Sequence, residues 1–142
     1  MSKIIGYTTG VFDLFHIGHL NILKKAKQEC DYLIVGVTTD EEVERVKKKR
    51  PIIPFDERVE IVKAIRYVDE VIPETDTDKL KAAEVIHFNR IFKGDDWKGT
   101  PKWNRYEEEF KKKDIEVVYF SYTKGTSSTH LRNVLDTILN TK

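Results

Sequence analysis

The chain has 142 residues, a formal net charge of +1, 35% charged residues and 39% apolar ones. That length and balance fit one domain over residues 1–142 with a sizeable core, and they exclude a disordered segment. The near-zero charge also excludes a molecule-wide polyanion binder, so any phosphate site has to be assembled locally and no nucleic-acid partner is expected.

The opening "MSKIIGYTTG" has too short an apolar run for a signal peptide, and no window approaches a membrane span. A single cysteine, Cys30, excludes an intramolecular disulfide and a cysteine-rich metal site. The expected location is the cytoplasm.

In chain order, "KIIGYTT" is a short β-branched strand leading into Gly10. From Ile17 the period changes, with Ile17, Leu20, Leu23 and Ala26 at helical spacing. "YLIVGVTT" is almost continuously apolar, the pattern of a strand covered on both faces. "DEEVERVKKK" reads as a charged helix running into a basic loop, which Pro51 and Pro54 interrupt. "FDERVEIVKAIRYV" resumes a helix over 55–68, with Phe55, Val59, Val62 and Ile65 on one side. A strand at "EVIP", a helix at "TDKLKAAEVIHF", a strand at "RIFKGDD" and a helix at "KWNRYEEEFKKK" follow. "IEVVYFSY" is a last strand and "STHLRNVLDTIL" a last helix.

Alternating strands and helices predict an α/β fold: a Rossmann-like, doubly wound, mostly parallel sheet. Ligands of such sheets bind beyond the carboxyl ends of the strands. The segments there are "GVFDLFHIGH", "TTDEE", "GDDW" and "YTKGTSST", all rich in glycine, hydroxyls, carboxylates or histidine. Their convergence predicts one site.

Two of the four histidines, His16 and His19, stand at i, i+3 in the first of these segments. Zinc would need further ligands, and His87 and His130 bring none at ligand spacing. A nucleophile–base pair has no Gly-x-Ser-x-Gly elbow and no reactive cysteine to work with. Packing at a strand–helix junction is the ordinary alternative. However, the pair straddles Gly18 at a helix start, where free backbone N–H groups and the dipole favour an anion. Phosphate handling is the preferred reading.

"GVFDLFHIGH" resembles the signature of the HIGH-motif nucleotidyltransferase superfamily in its cytidylyltransferase branch, which uses glycerol 3-phosphate, phosphocholine or phosphoethanolamine as acceptor. The likeness continues in order through "DYLIVGVTTDEE", "ERVEIVKAIRYVDEVIP" and "GDDW" to "TKGTSST", almost the whole chain. The compact length is most similar to the bacterial glycerol-3-phosphate cytidylyltransferases. The resemblance implies transfer of CMP from CTP to a small phosphorylated alcohol, with release of pyrophosphate. It also implies Mg²⁺ entering with CTP, no dedicated metal site, a homodimer, and a place in cell-wall or surface polysaccharide synthesis. Other phospho-alcohol acceptors, or a nucleotide-binding module without catalysis, stay open.

By the same resemblance, His16 and His19 contact the triphosphate and stabilise the transition state. Gly10, Val11, Phe12, Asp13 and Gly18 border the nucleotide, and Asp13 orients the loop or approaches Mg²⁺. "TKGTSST" is a second phosphate device. Gly125 gives its turn, and Ser127, Ser128 and Thr129 supply hydroxyls and helix-start amides beside Tyr122 and Thr123. The family's Arg is replaced by Tyr122, and Thr126 stands where an aliphatic residue is usual. Lys47 and Lys49 of the basic loop are matched to the acceptor phosphate and CTP, with Lys49 and Arg66 assigned catalytic roles. Arg58 and Arg66 match family arginines that reach phosphate, or form surface ion pairs. Lys79 faces the acceptor or is an exposed helix lysine. Asp95 and Trp97 of "GDDW" are placed at the nucleotide, Trp97 as wall or packing.

Overall fold

Five of the β-branched and aromatic segments form one sheet: β1 (Ile5–Gly10), β2 (Tyr32–Thr38), β3 (Glu70–Glu74), β4 (Arg90–Gly94) and β5 (Glu116–Phe120). The computed structural model describes residues 3–121 and 127–140. All strand pairings are parallel, in the order β3-β2-β1-β4-β5. Between them run α1 (Ile17–Gln28), α2 (Asp40–Lys47), α3 (Phe55–Lys63), α4 (Lys79–Val85) and α5 (Pro101–Lys111), and α6 (Ser128–Asn140) follows β5.

Period-two alternation sorts the sheet's faces. Leu33, Val35 and Val37 of β2 point to one side, where Leu23 and Ala26 of α1 and Val62 of α3 are fully buried against them. Ile34 points to the other side and joins Tyr7, Ile91 and the α5 residues Trp103, Tyr106 and Phe110. Right-handed crossovers thus place α1 and α3 on one face and α5 on the other, the doubly wound arrangement expected. Strand order reverses at β1, so the crevice opens beyond the carboxyl ends of β1 and β4.

Two helices are shorter than expected, α4 ending at Val85 rather than running to Phe88. α3 stops at Lys63 rather than running to 68. The Ala64 N–H donates to both Glu60 O and Ile61 O, and Ile65 and Val68 continue as tight turns. The chain turns there because Asp69 has partners to reach: its Oδ2 accepts from Leu33 N (2.7 Å) and meets Lys27. Tertiary hydrogen bonding overrides a helical periodicity. No helix among the described residues is long and apolar enough to cross a membrane.

Candidate active site

The loop from β1 to α1 is set by two left-handed residues, Phe12 (φ 55°) and Leu14 (φ 50°). Such a conformation costs a side-chain-bearing residue about 1–2 kcal/mol, and packing must hold it. The Phe12 ring is buried, sits edge-on to His19 with centroids 5.4 Å apart, and lies 3.0 Å from where a Cβ on Gly10 would stand. Gly10 therefore lets the aromatic ring fold back over the strand end.

His16 is the N-cap of α1, and the two histidines cap reciprocally. His16 Nδ1 accepts from Gly18 N at 3.0 Å, and His19 Nδ1 accepts from His16 N at 3.2 Å. Because each Nδ1 is an acceptor, each neutral ring carries its proton on Nε2. Burial lowers the His16 pKa. His19 is lowered to about 4, by burial first and then by the neighbouring His16, against an opposing pull from Asp13. Both imidazoles are neutral at pH 7 and present N–H donors without needing a charge. Their centroids are 4.1 Å apart. Ser128 at the start of α6 donates to Asp13 O, and its Oγ lies 3.5 Å from His19 Nε2. The histidine pair and the described part of the second segment, Ser127–Thr129, thus meet in space.

They meet around a cavity of about 700 Å³ lined by Gly10, Val11, Phe12, Asp13, His16, Gly18, His19, Lys47, Lys49, Ser127, Ser128 and Thr129, among others. Tyr122, Thr123 and Gly125 lie outside the described residues, as do Lys124 and Thr126. Asp13 is buried, and its two carboxylate oxygens accept from Ile52 N and Ile53 N at 2.8 Å each. Of the roles open to it, the structure has it orienting the basic loop.

A smaller cavity of about 200 Å³ shares the wall formed by Thr9, Gly10, Val11, Val43 and Lys47. It is lined further by Glu74, Thr77, Lys79, Lys93, Trp97, Lys102 and Trp103. Lys79 is buried there and paired with Glu74 at 2.6 Å, while Glu74 also accepts from Thr38 Oγ1 at 2.7 Å. The alternative of an exposed helix lysine is overturned. Trp97 belongs to this smaller space and not to the larger one, because the turn after β4 (Asp95–Trp97) projects past the strand end on the Lys93 side. Asp95 lines neither cavity.

Two arginines require correction. Arg58 is fully buried, donating to Ile53 O (2.9 Å), Val11 O (2.6 Å) and Thr38 O (2.8 Å) and pairing with Asp40 at 2.7 Å. It ties α3 to the ends of β1 and β2 from beneath the site. Arg66 lies in the connection entering β3, at the end of the sheet opposite the cavities, and bonds Tyr67 OH at 3.0 Å. Within this chain it does not reach the cavities.

Comparison with known proteins agrees with this geometry. A family model described as cytidylyltransferase-like matches residues 7–134. The chain belongs to the cytidylyltransferase-like family. It is 41% identical to the glycerol-3-phosphate cytidylyltransferase of Bacillus subtilis (strain 168), over 93% of this chain and 95% of that one. It is 35% identical to the glycerol-3-phosphate cytidylyltransferase of Staphylococcus aureus (strain NCTC 8325 / PS 47), over 95% and 96% respectively. Among solved structures, a lipopolysaccharide core biosynthesis protein from Thermoplasma volcanium GSS1 superposes with TM-score 0.71 at 28% identity, covering 88% of this chain and 100% of that one.

As a nucleotidyltransferase of this family, the chain carries two site residues that sequence reasoning missed. Arg132 lines the large cavity, donates to Arg50 O at 2.7 Å and approaches Asp13 at 3.9 Å. Its signal was available, since it stands one helical turn beyond Ser128 on the same face. Lys93 lines the smaller cavity from the end of β4. Its only trace in sequence is a lysine interrupting an apolar strand just before "GDD".

Proposed function

We propose that the protein transfers CMP from CTP to glycerol 3-phosphate, giving CDP-glycerol and pyrophosphate. The observation that carries this reading is the pair of neutral imidazoles, locked in the Nε2–H tautomer, lining a large cavity that shares its Thr9–Val11 wall with a small one. The large cavity accommodates the nucleotide and its phosphates, and the small lysine-lined one accommodates the phosphorylated acceptor.

The acceptor phosphate is itself the nucleophile. Its oxygen forms a bond to the α-phosphorus as the bond from that phosphorus to the bridging oxygen breaks, and pyrophosphate leaves with the electron pair. No group has to remove a proton, so the reaction needs no nucleophile–base pair. What the protein supplies is alignment and donors to the charge on the phosphoryl group in flight. His16 and His19 donate through Nε2, the Ser127–Thr129 hydroxyls and Arg132 act on the β- and γ-phosphates, and Lys47 and Lys49 reach in from the basic loop.

CTP would enter as its Mg²⁺ complex, the ion supplying neutralisation of the triphosphate charge. Asp13 is already committed to the Ile52 and Ile53 amides. We place the enzyme in the cytoplasm as a homodimer, supplying an activated polyol phosphate for surface polymers. The test is purified protein with Mg²⁺, CTP or ATP, and a panel of glycerol 3-phosphate, phosphocholine and phosphoethanolamine. CDP-glycerol is the expected product; turnover confined to ATP or to another acceptor overturns the reading.

A further inference from the structure

The small cavity carries more positive charge than its carboxylates balance. Glu74 is taken by Lys79 and Thr38, and Glu42 by Arg45 and the Thr77 N–H. Lys93 is different. It is half-buried at the end of β4, with its Nζ 4.9 Å from the Trp97 ring centroid and 5.8 Å from that of Trp103. Among the described residues no carboxylate pairs with it. Two indole faces fix the ammonium in place without neutralising it.

We propose that Lys93 is the anchor for the phosphate monoester of the acceptor, and that it makes the small cavity selective for a dianionic phosphate over its neutral alcohol. This rests on the transfer reaction proposed above. The geometry supplies three supports. The amine faces a space small enough to exclude a nucleoside triphosphate, the space shares the Gly10–Val11 wall with the nucleotide cavity, and among the described residues no carboxylate forms an ion pair with it.

The amine's environment adds a fourth support. The Lys93 pKa is lowered to about 8, by burial first and then by the positive charges of Lys79 and Lys47, against opposing pulls from Glu74 and Asp96. Lys102 also lines the space. A bound dianion reverses this balance and restores the proton, so acceptor binding above pH 8 takes up a proton through Lys93.

The variants are Lys93→Met, which keeps an unbranched chain against the indoles, and Lys93→Arg, which keeps the charge at all accessible pH. Lys93→Met raises the acceptor KM by roughly 10- to 100-fold, the range for losing one charge-assisted hydrogen bond, while the KM for CTP stays within about twofold. Calorimetry of glycerol 3-phosphate binding at pH 8.5, in buffers of different ionisation heat, detects proton uptake in the parent and none in either variant. Lys93→Arg retains acceptor binding and loses the alkaline rise in acceptor KM. An unchanged acceptor KM in Lys93→Met, or proton uptake that persists in it, overturns the proposal. Inorganic phosphate is the second probe. If no phospho-alcohol is turned over but Lys93→Met abolishes phosphate binding, the transfer reading falls and the Lys93 assignment stands.

Discussion

Arg58 offers the sharpest test of whether a residue matched to a phosphate-binding role acts on the substrate or on the fold. Replacement by Met keeps a long apolar stem and removes the guanidinium. It leaves Ile53 O, Val11 O and Thr38 O without their donor and Asp40 without its partner, in a place where the arginine is 0% exposed. Breaking one buried charged pair costs about 3–5 kcal/mol, because the remaining partner is left uncompensated. The contact of the guanidinium with the Phe55 ring (Cζ 5.6 Å from its centroid) goes as well, while Phe55 N still donates to Asp40 Oδ2 at 3.2 Å, which tempers the loss. A value of about 4 kcal/mol is a large share of a typical stability of roughly 5–15 kcal/mol. At about 2–4 °C per kcal/mol for a chain near this size, Tm falls by roughly 10 °C. Urea titration and calorimetric melting of Arg58→Met measure it directly. Arg58→Lys keeps the charge but cannot fork to several carbonyls, so it falls between the two. A Tm within about 2 °C of the parent, together with a tenfold rise in acceptor KM, would refute the buried-tie account and return Arg58 to the substrate.

His16→Asn separates the cap from the donor: Asn accepts from Gly18 N as the histidine did, but offers nothing at the Nε2 position. Its melting temperature stays close to the parent while kcat drops by ~10²–10³, as measured by pyrophosphate release. His19 has a folded pKa of about 4, below its unfolded value near 6.5, so between those pH values the unfolded chain binds more protons. Stability therefore falls as pH drops from about 6.5 to about 4, and denaturant titrations of His19→Gln lose that part of the slope. Between pH 6 and 8, kcat has no step from His19. Chelation of Mg²⁺ stops pyrophosphate release but leaves the melting temperature of the nucleotide-free protein unchanged; a melting loss on chelation would argue for a resident ion.

The β1–α1 device was readable because its parts are local. A glycine-ended strand, a helical period and two histidines in one short segment determine where the donors sit, and their capping box is built from those same residues. The parallel sheet was readable for the same reason, through period and spacing. Burial of charge was not. Nothing local distinguishes Arg58, which faces inward to three carbonyls from the loop after β1, from β2 and from the loop at Ile53, from an exposed helix arginine. Lys79 likewise owes its buried state to Glu74 at the end of β3. Lys93 is surrounded by residues of β3, α4 and α5, so only the folded sheet brings them together. Arg66 shows the converse limit: a motif match carried it into the site, and the parallel topology puts it at the other end of β3.

The most direct measurement follows the acceptor's own oxygen. Glycerol 3-phosphate labelled with ¹⁸O in its phosphate is turned over with Mg²⁺ and CTP, and both products are analysed by ³¹P NMR. If the acceptor phosphate attacks the α-phosphorus, all the label stays in CDP-glycerol, including the oxygen bridging the two phosphates, and pyrophosphate carries none. Label in pyrophosphate, or no CDP-glycerol at all, would contradict the account.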